Sequence, residues 1–354
     1  MFEKFKGSAQ NFIFKLHSTA ASILNASEEN RRVSLLQSSA KHLHGPLYVA
    51  LEPDEAIVLC VVKDGESLVH SFIEHYLELG FKHIFFLDNG STDKTVEIIQ
   101  KYRQTTVVSS SEPFEKYYVT FKNFLIQTFG QGKWCVVADI DEFLNFPLSR
   151  HLEDVLVYLN QHGYDTVCVQ MLDMFSKEGI AISRRRDSWS LERLKSTFCY
   201  YDLSDIGRRK YVRRFQSPAH QGLRFLYGGI RKTVFKRDCF LTKEVFFWAH
   251  GGTRLKSSHL LKRAKLADFS VAFLHYKFAE NFYSSTVKAV AQQNHWRKSH
   301  EYKAYLAILE QKQGTLSLFQ SSSLVFEEID DLISSNFLFV SDKFRTFCPS
   351  PCEV

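Results

Sequence analysis

The chain has 354 residues and a formal net charge of +6, and hydrophobic residues make up 45% of it. This length and composition predict one large α/β domain or two smaller ones, and they argue against a disordered chain. No run approaches the roughly 18–20 apolar residues that a membrane span needs, and no zinc-finger, helix-turn-helix or RNP-like pattern indicates nucleic-acid binding.

The amino-terminal residues and the cysteines are typical of a reducing compartment. Residues 1–18 scatter charges among aromatic side chains, which is unlike a secretory signal. The cysteines are odd in number and mostly lie in apolar surroundings, and Cys348 and Cys352 have no His or Cys nearby to complete a metal site. We therefore expect a cytoplasmic protein, with peripheral attachment to the inner face of the membrane as an open alternative.

Residues 1–53 are predicted to form a helical accessory segment. Several apolar residues there recur at helical spacing, namely Phe12, Ile13, Leu16, Ala20 and Leu24. Such a helix could dock onto the protein core or lie on a membrane surface.

A regular alternation of strands and helices begins at residue 56. Short apolar runs predict strands over residues 56–62, 83–88, 105–110, 134–139 and 165–171. Amphipathic patterns predict helices over residues 67–79, 94–103, 114–129 and 151–162. Gly80 and Gly163 are placed as C-terminal caps, and Asp93 as an N-terminal cap. This alternation predicts a mostly parallel, twisted sheet with helices on both faces.

Polar residues follow the predicted strands at their carboxyl ends. They are Lys63, Asp64, Asp88, Asn89, Asp139, Asp141 and Asp173. In parallel sheets, ligands bind beyond the carboxyl ends of the strands, so we expect these side chains to line one binding edge.

Asp139 and Asp141 are the strongest candidates for a metal site. Residues two apart on an extended chain point to the same side, where two carboxylates would repel each other unless a cation lay between them. Oxygen ligands of this kind suit Mg²⁺ or Mn²⁺. A solvated loop with helix-capping acids is the alternative.

The pattern changes after about residue 180. Residues 228–235 and 271–278 are predicted strands, and residues 282–296 and 302–311 are predicted helices. We divide the chain into residues 1–53, a core over residues 54–312 with a basic, loop-rich insertion at 183–229, and an extension over residues 313–354.

Positive charge is concentrated in the second half of the chain. From Ser183 to Arg237 there are 15 Lys and Arg against 4 Asp and Glu. This region is either a solvated face or a surface for an anion, such as a diphosphate, an acidic glycan or anionic lipid.

Several segments together resemble a known family. VVKDGESLVHSFIEHYLELGF, FFLDNGSTDKT and WCVVADIDEFLNFP, in this order, resemble the family-2-like glycosyltransferases of bacteria. MLDMFSKEGI, GGIRKTVF, SHLL and FLHYKF are similar to later segments of a subgroup with an Asp-x-Asp-Glu motif. The likeness runs from about residue 56 to residue 310. KDGE departs from the subgroup by its extra glycine, Gly65.

The resemblance implies a GT-A type fold and a nucleotide-sugar donor. It also implies a glycan or lipid-linked acceptor, an inverting displacement, Mn²⁺ or Mg²⁺ as the cofactor, and a role in building bacterial polysaccharide.

Roles for individual residues follow from the same resemblance. The donor would be bound by Lys63, Asp64, Glu66, Asp88, Asn89, Asp139, Arg231 and Lys232, with Asp88 at the nucleotide base. Asp139, Asp141 and His275 would hold the metal, while His259 and His250 are weaker candidates. Arg231 or Lys232 would stabilise the departing diphosphate. Asp173 is the candidate general base, and Glu142 is its alternative.

Two other functions remain open at this point. An apolar strand followed by Asp-x-Asp also resembles the nucleophile loop of haloacid-dehalogenase-type phosphatases, with Asp139 as nucleophile and Asp141 as acid/base. That loop usually has Thr or Val where this chain has Phe143. A non-catalytic nucleotide-sugar-binding protein is the second alternative.

Overall fold

A computed structural model describes residues 27–181, 188–210, 222–279, 282–292, 296–312 and 315–347. The predicted helix within residues 1–26, and Cys348 and Cys352, lie outside these residues.

The strands of the described residues are β1 Lys41–His44, β2 Ala56–Val62, β3 His83–Asp88, β4 Thr105–Ser109, β5 Trp134–Val137, β6 Glu142–Asn145, β7 Thr166–Asp173, β8 Ile180–Ala181, β9 Tyr200–Tyr201, β10 Ile206–Lys210, β11 Arg224–Gly228, β12 Thr242–Trp248, β13 Leu266–His275, β14 Thr315–Leu316 and β15 Leu324–Val325.

The helices are α1 over residues 27–39 and α2 Val69–Glu78, α3 Thr95–Ile99, α4 Phe114–Leu125, α5 Leu152–His162, α6 Leu191–Thr197, α7 Ile230–Phe235, α8 Phe282–Gln292, α9 Trp296–Gln311, α10 Asp331–Ser334 and α11 Asp342–Thr346. A π-helical turn at Ile126–Gly130 extends α4, and Pro147–Ser149 forms a 3-10 turn.

Within the described residues, nine strands form one mixed central sheet in the order β1-β4-β3-β2-β5-β12-β7-β13-β6. The block β4-β3-β2-β5 is parallel, as is the pair of β7 and β13. β1, β12 and β6 pair with their neighbours in antiparallel fashion. α4 packs against β2 and β3, and α2 packs against β6.

The strand directions bring many chain segments to one edge of the sheet, which we call the site edge. Since β12 is antiparallel to both β5 and β7, β7 and β13 run in the same direction as β2 to β5. The carboxyl ends of these six strands therefore lie at the site edge, where the antiparallel β6 and β12 begin. In register, Val62 pairs with Asp88, and His275 pairs with both Asp173 and Glu142.

The five strands predicted between residues 56 and 171 are present with closely similar bounds, because each is an apolar run that the sheet buries. β2 and β3 are buried along their whole lengths. Gly163 ends α5 in a left-handed conformation with φ 61°, and the carboxylate of Asp93 accepts the N–H of Thr95 at the start of α3 at 3.0 Å.

The prediction of a strand over residues 228–235 is wrong. β11 ends at Gly228, and residues 230–235 form helix α7. Gly228 and Gly229 have φ values of 93° and 71°, which interrupt the extended chain. Ile230 and Phe235 then lie on the buried side of the helix, in a small apolar cluster beside the main core.

Sequence patterns did not reveal β6 or β12. β12 carries Lys243 and Glu244 within its apolar run, and both are buried. Charged residues are rarely buried unless they are paired, so the pattern of β12 does not indicate an interior strand.

The carboxyl-terminal segment packs on β13 and α5. Phe344 of α11 stacks on Phe269 with 3.8 Å between ring centroids. The carboxylate of Asp268 in β13 accepts hydrogen bonds from the hydroxyls of Tyr158 and Ser341 at 2.9 and 2.7 Å. Among the described helices, none combines the length and the apolar character that crossing a membrane requires.

Candidate functional site

Two loops at the site edge are tied to each other. The carboxylate of Asp64 accepts the backbone N–H of Thr92 at 2.7 Å and its hydroxyl at 3.1 Å. Glu66 accepts the N–H of Lys94 at 3.2 Å. Asp64 and Glu66 therefore join the loop after β2 to the loop after β3, while Lys63 beside them is exposed.

Asp88 and Asn89 shape the loop that they begin. The carboxylate of Asp88 accepts the N–H groups of Gly90 and Ser91, each at 3.1 Å. The side-chain amide of Asn89 donates to the carbonyls of Ser110 and Glu112, each at 2.9 Å. Both side chains are buried, so their hydrogen bonds serve the loops around them.

Gly65 allows the first loop to approach the acidic motif. A Cβ atom at this position would lie 2.9 Å from Val62 Cγ2 and 3.3 Å from Ile140 Cγ1. The extra glycine that departs from the subgroup thus packs against the residue between Asp139 and Asp141.

Asp139 and Glu142 are neutralised by two buried lysines. Lys122 of α4 contacts Asp139 Oδ1 at 2.7 Å, and Lys243 of β12 lies 3.6 Å from Asp139 Oδ2. Lys243 also forms an ion pair with Glu142, which is buried. Desolvation disfavours the Asp139 carboxylate, but the two lysines outweigh it and lower its pKa. The side chain of Asp139 is 39% exposed, so it can still accept a hydrogen bond from a ligand.

Asp141, His275 and Asp173 form a hydrogen-bonded chain at the site edge. His275 Nε2 lies 3.2 Å from Asp141 Oδ2, and its Nδ1 lies 2.5 Å from Asp173 Oδ1. Burial disfavours the protonated imidazole, but the two carboxylates outweigh it and raise the pKa of His275 to about 9. Asp173 thus orients the ring with Nε2 toward Asp141, the arrangement that second-shell carboxylates give to metal-binding histidines.

Arg231 holds the second oxygen of Asp173. Its Nε donates to Asp173 Oδ2 at 2.8 Å, and its Nη1 lies 3.7 Å from Glu301 of α9. Burial disfavours the Asp173 carboxylate, but Arg231 and His275 lower its pKa below the ordinary value. With both oxygens engaged and the side chain buried, Asp173 does not have the geometry of a general base. The buried Glu142, paired with Lys243, does not have it either.

Lys277 adds a cation beside the hydrogen-bonded residues Asp141, His275 and Asp173. It follows His275 by two residues at the end of β13, and its Nζ lies over the rings of Tyr302 and Tyr305 at 5.2 and 5.7 Å. Within the described residues, no carboxylate oxygen lies within 4 Å of this Nζ. Lys232, by contrast, lies over the ring of Tyr227 at 5.9 Å.

The two weaker histidine candidates are not metal ligands in this arrangement. His259 is directed to the carbonyl of Thr242 at 3.2 Å, and burial lowers its pKa to about 3. His250 is exposed and lies 3.9 Å from Asp165, which precedes β7 at the opposite edge of the sheet.

Sequence reasoning missed Lys122, Lys243 and Glu301. Lys122 and Glu301 come from helices whose patterns showed only their apolar faces, and Lys243 comes from the unpredicted β12. Lys277 was within a recognised segment, FLHYKF, but nothing in that segment distinguished it from an ordinary surface lysine.

The residues at the site edge can supply only some of the ligands of a divalent cation. In the part of the chain that the structure describes, no group of three or more His, Cys, Asp or Glu side chains is arranged to hold a metal. Two ligands about 2.1 Å from an octahedral ion are about 3 Å apart, close to the 3.2 Å between Asp141 Oδ2 and His275 Nε2. Mg²⁺ usually takes one or two protein ligands and completes its shell with water and substrate phosphates. Asp141 and His275 therefore fit such an ion, whereas both oxygens of Asp139 face the ammonium groups of Lys122 and Lys243.

Comparison with known proteins identifies the first half of the core. Residues 57–222 match the family model described as Glycosyl transferase family 2. No curated protein matches the chain.

Solved structures of glucosyl-3-phosphoglycerate synthase from Mycobacterium tuberculosis are similar to part of the chain. The complex with Mn²⁺, UDP and glucosyl-3-phosphoglycerate is 19% identical over 37% of this chain and 50% of that one, with a TM-score of 0.24. The complex with Mn²⁺, UDP and phosphoglyceric acid is 20% identical over 38% and 50%, also with a TM-score of 0.24. The chain thus spans about half the length of these structures.

The family match covers the two tied loops, the Asp139–Asp141 motif and Asp173, while Arg231, Lys243, His275 and Lys277 lie beyond it. This match favours the glycosyltransferase over the phosphatase alternative. Residues 57–222 thus match glycosyl transferase family 2, and the predicted GT-A type α/β fold is confirmed.

Proposed function

We propose that the chain transfers a sugar from a nucleotide-sugar donor to a glycan or lipid-linked acceptor, with Mn²⁺ or Mg²⁺ as cofactor. The observation that supports this most directly is the chain of Asp141, His275 and Asp173 at the site edge of a family 2 domain. It offers two converging ligands and a buried residue that orients one of them.

In this proposal Asp141 Oδ2 and His275 Nε2 hold the cation. The bound cation supplies positive charge to the donor diphosphate as the sugar–phosphate bond breaks. Asp173 and Arg231 keep the imidazole of His275 in its orientation, which makes them positioning residues.

We assign the protein's own contribution to leaving-group stabilisation to Lys277. The sequence suggested Arg231 or Lys232, but Arg231 is bonded to Asp173 and Lys232 lies over Tyr227. Lys277 lies beside Asp141 and His275 and has no carboxylate partner within 4 Å among the described residues. A fixed cation at this position needs no rearrangement when negative charge develops on the diphosphate.

The nucleotide would lie against the two tied loops. Asp64, Glu66, Asp88 and Asn89 give these loops their shape through the contacts described above, and the exposed Lys63 is available to a phosphate. Asp139, held by Lys122 and Lys243, would accept a hydrogen bond from a ribose hydroxyl.

An inverting displacement would require a base for the acceptor hydroxyl on the far side of the sugar. Asp173 and Glu142 are both engaged in buried ion pairs, so this proposal gives the base role to neither. We propose a cytoplasmic site of action, with an acceptor that belongs to bacterial polysaccharide synthesis.

The test is thermal unfolding of the full chain with UDP, GDP or CDP, each with and without Mn²⁺. We expect one nucleotide to raise the Tm only when Mn²⁺ is present, and His275→Ala to abolish that increase. The exposed His42→Ala should keep it. Equal stabilisation of the His275→Ala variant, or indifference of the parent to every nucleotide, would reject the proposal.

A transfer assay separates the enzyme from a non-catalytic binding protein. Donor turnover that requires Mn²⁺ and falls in Lys277→Met supports the enzyme, with Lys232→Met as the matched control. Nucleotide binding without turnover of any sugar donor favours the binding protein. Hydrolysis of a generic phosphate monoester instead favours the phosphatase.

A further inference from the structure

Glu301 of α9 reaches the site edge through one guanidinium group. Arg231 Nε donates to Asp173 Oδ2 at 2.8 Å, while Nη1 of the same side chain lies 3.7 Å from Glu301 Oε1. Asp173 in turn orients His275. Glu301 is therefore separated by a single side chain from the carboxylate that orients the imidazole of His275.

Only one oxygen of Glu301 is engaged. Oε1 accepts a hydrogen bond from the hydroxyl of Tyr305, and the thiol of Cys239 lies 3.6 Å from the same oxygen. Among the described residues, no hydrogen bond or ion pair reaches Oε2. The contacts to Oε1 thus hold the carboxylate in place and leave its second oxygen open.

Exposure distinguishes Glu301 from the two acids that the sequence suggested as the base. Its side chain is 31% exposed, against 3% for Asp173 and 2% for Glu142. A general base must come within hydrogen-bonding distance of the proton that it removes. Glu301 has both the open oxygen and the exposure that this contact requires, whereas Asp173 and Glu142 have neither.

Lys277 links Glu301 electrostatically to the candidate metal ligands. Burial disfavours the protonated form of Lys277, but Tyr302 and the carboxylates of Glu301 and Asp141 outweigh it and raise its pKa. Burial likewise disfavours the Glu301 carboxylate, but Lys277 and Arg231 outweigh it and lower its pKa to about 2. Glu301 is therefore ionised at neutral pH, as a proton acceptor must be.

We propose that Glu301 is the catalytic base, and that Oε2 takes the proton of the acceptor hydroxyl. The acceptor oxygen bonds to the anomeric carbon of the donor sugar while the bond from that carbon to the diphosphate oxygen breaks. The electron pair of the broken bond leaves with the nucleoside diphosphate, and the proton passes to Oε2. This assignment rests on the proposed function and supplies the base that it lacks.

Donor binding strengthens this base. A carboxylate with a low pKa accepts protons weakly in the free protein. In the proposed function the donor diphosphate lies against Lys277 and compensates its charge, which removes the main influence that lowers the pKa of Glu301. Proton transfer is thus favoured only once the donor is in place.

The test compares two nucleophiles, water and azide, because azide carries no proton that a base must remove. The full chain with Mn²⁺ is given UDP-glucose, GDP-mannose or CDP-glucose, and release of the nucleoside diphosphate is measured by chromatography. We expect Glu301→Gln to lower release with water alone by about 100–10,000-fold. Release with azide should stay within about threefold of the parent, since no general base is involved.

Two further variants separate catalysis from structure. Glu310→Gln makes the same change at an exposed position of the same helix and should behave as the parent. Glu301→Asp keeps a charge beside Arg231 but withdraws the carboxylate by about 1.5 Å, so the loss with water should be at most about 100-fold, again with azide spared. This variant tests the assignment if Glu301→Gln does not fold.

Unchanged release with water in Glu301→Gln, or equal losses with water and azide, would overturn the assignment. The Mn²⁺-dependent rise in Tm with nucleotide is measured for each variant, and Glu301→Gln should keep it. A parent chain that consumes none of the three donors with either nucleophile would reject the proposed function, and the base with it. Equal losses in a variant that keeps the nucleotide response would reject only the base.

Discussion

Asp173 acts through the residues that it holds. One of its oxygens orients His275 and the other holds the buried Arg231. A carboxylate in this position fixes which nitrogen of the imidazole faces Asp141, so its influence on a bound cation is indirect.

Asp173→Asn is expected to lower Mn²⁺ affinity by about 10–100-fold, because the amide orients the imidazole less strongly. Metal titration monitored by thermal unfolding measures this change. Stability without metal should also fall, since Arg231 loses its charged partner. Asp238→Asn, at an exposed position, should change neither quantity. Unchanged Mn²⁺ affinity in Asp173→Asn would show that the residue is only structural.

His75 is predicted to limit stability in acid. Burial, aided by Lys195, lowers its pKa from the ordinary 6.5 to about 3, and its Nε2 contacts the Leu144 carbonyl at 2.7 Å. Since the folded pKa is depressed, the contribution of neutral His75 is fully present above pH 6.5. It is lost as the pH falls toward 3, because the unfolded chain takes up a proton that the folded chain excludes.

His75→Gln removes this titration and can retain a donor to Leu144. Between pH 5.5 and pH 4.5, we expect the parent to lose about 1.4 kcal/mol more per pH unit than the variant. Urea unfolding at several pH values measures the two slopes. His42→Gln should behave as the parent, and parallel slopes for His75→Gln and the parent would contradict the assignment.

The site edge is formed by loops and strands that lie far apart in the sequence. The sequence revealed the acids, because an acid after an apolar strand is a local pattern. It did not reveal that Lys122 and Lys243 neutralise them, because those contacts depend on how α4 and β12 pack. The sequence pattern also placed Arg231 in a strand, because the apolar residues of that segment outweighed Gly228 and Gly229, which precede α7.

The loop containing Gly65 has a packing requirement that can be tested. Gly65→Ala places a Cβ 2.9 Å from Val62 and 3.3 Å from Ile140, and we expect it to lower stability by about 1–3 kcal/mol. It should also weaken the Mn²⁺-dependent nucleotide response, because the loop moves away from Asp141. A Cβ at Gly251 meets nothing within 4 Å, so Gly251→Ala is the control. Equal effects of the two substitutions would show that the loop tolerates the displacement.

The match to the family model ends before the last strands of the central sheet. Residues 57–222 include β2 to β7 of the central sheet but not β12, which lies between β5 and β7. The chain beyond residue 222 also supplies Lys243 and His275. The family core and the later residues therefore contribute strands to one central sheet.

A fragment of residues 1–222 is predicted not to fold. Without β12, the edges of β5 and β7 would lack their hydrogen-bonding partner, and the buried Glu142 would lack Lys243. Circular dichroism during heating should show no cooperative transition for this fragment, in contrast to the full chain. A sharp transition in the fragment would mean that its strands can pair directly.

The placement of β12 also has a consequence during protein synthesis. The ribosome produces β5 and β7 well before residues 242–248, so the growing polypeptide carries two open apolar strand edges while about seventy further residues are translated. Such edges are prone to pair with other nascent chains. The pace of translation between β7 and β12 should therefore govern how much of the newly made protein escapes aggregation or requires a chaperone.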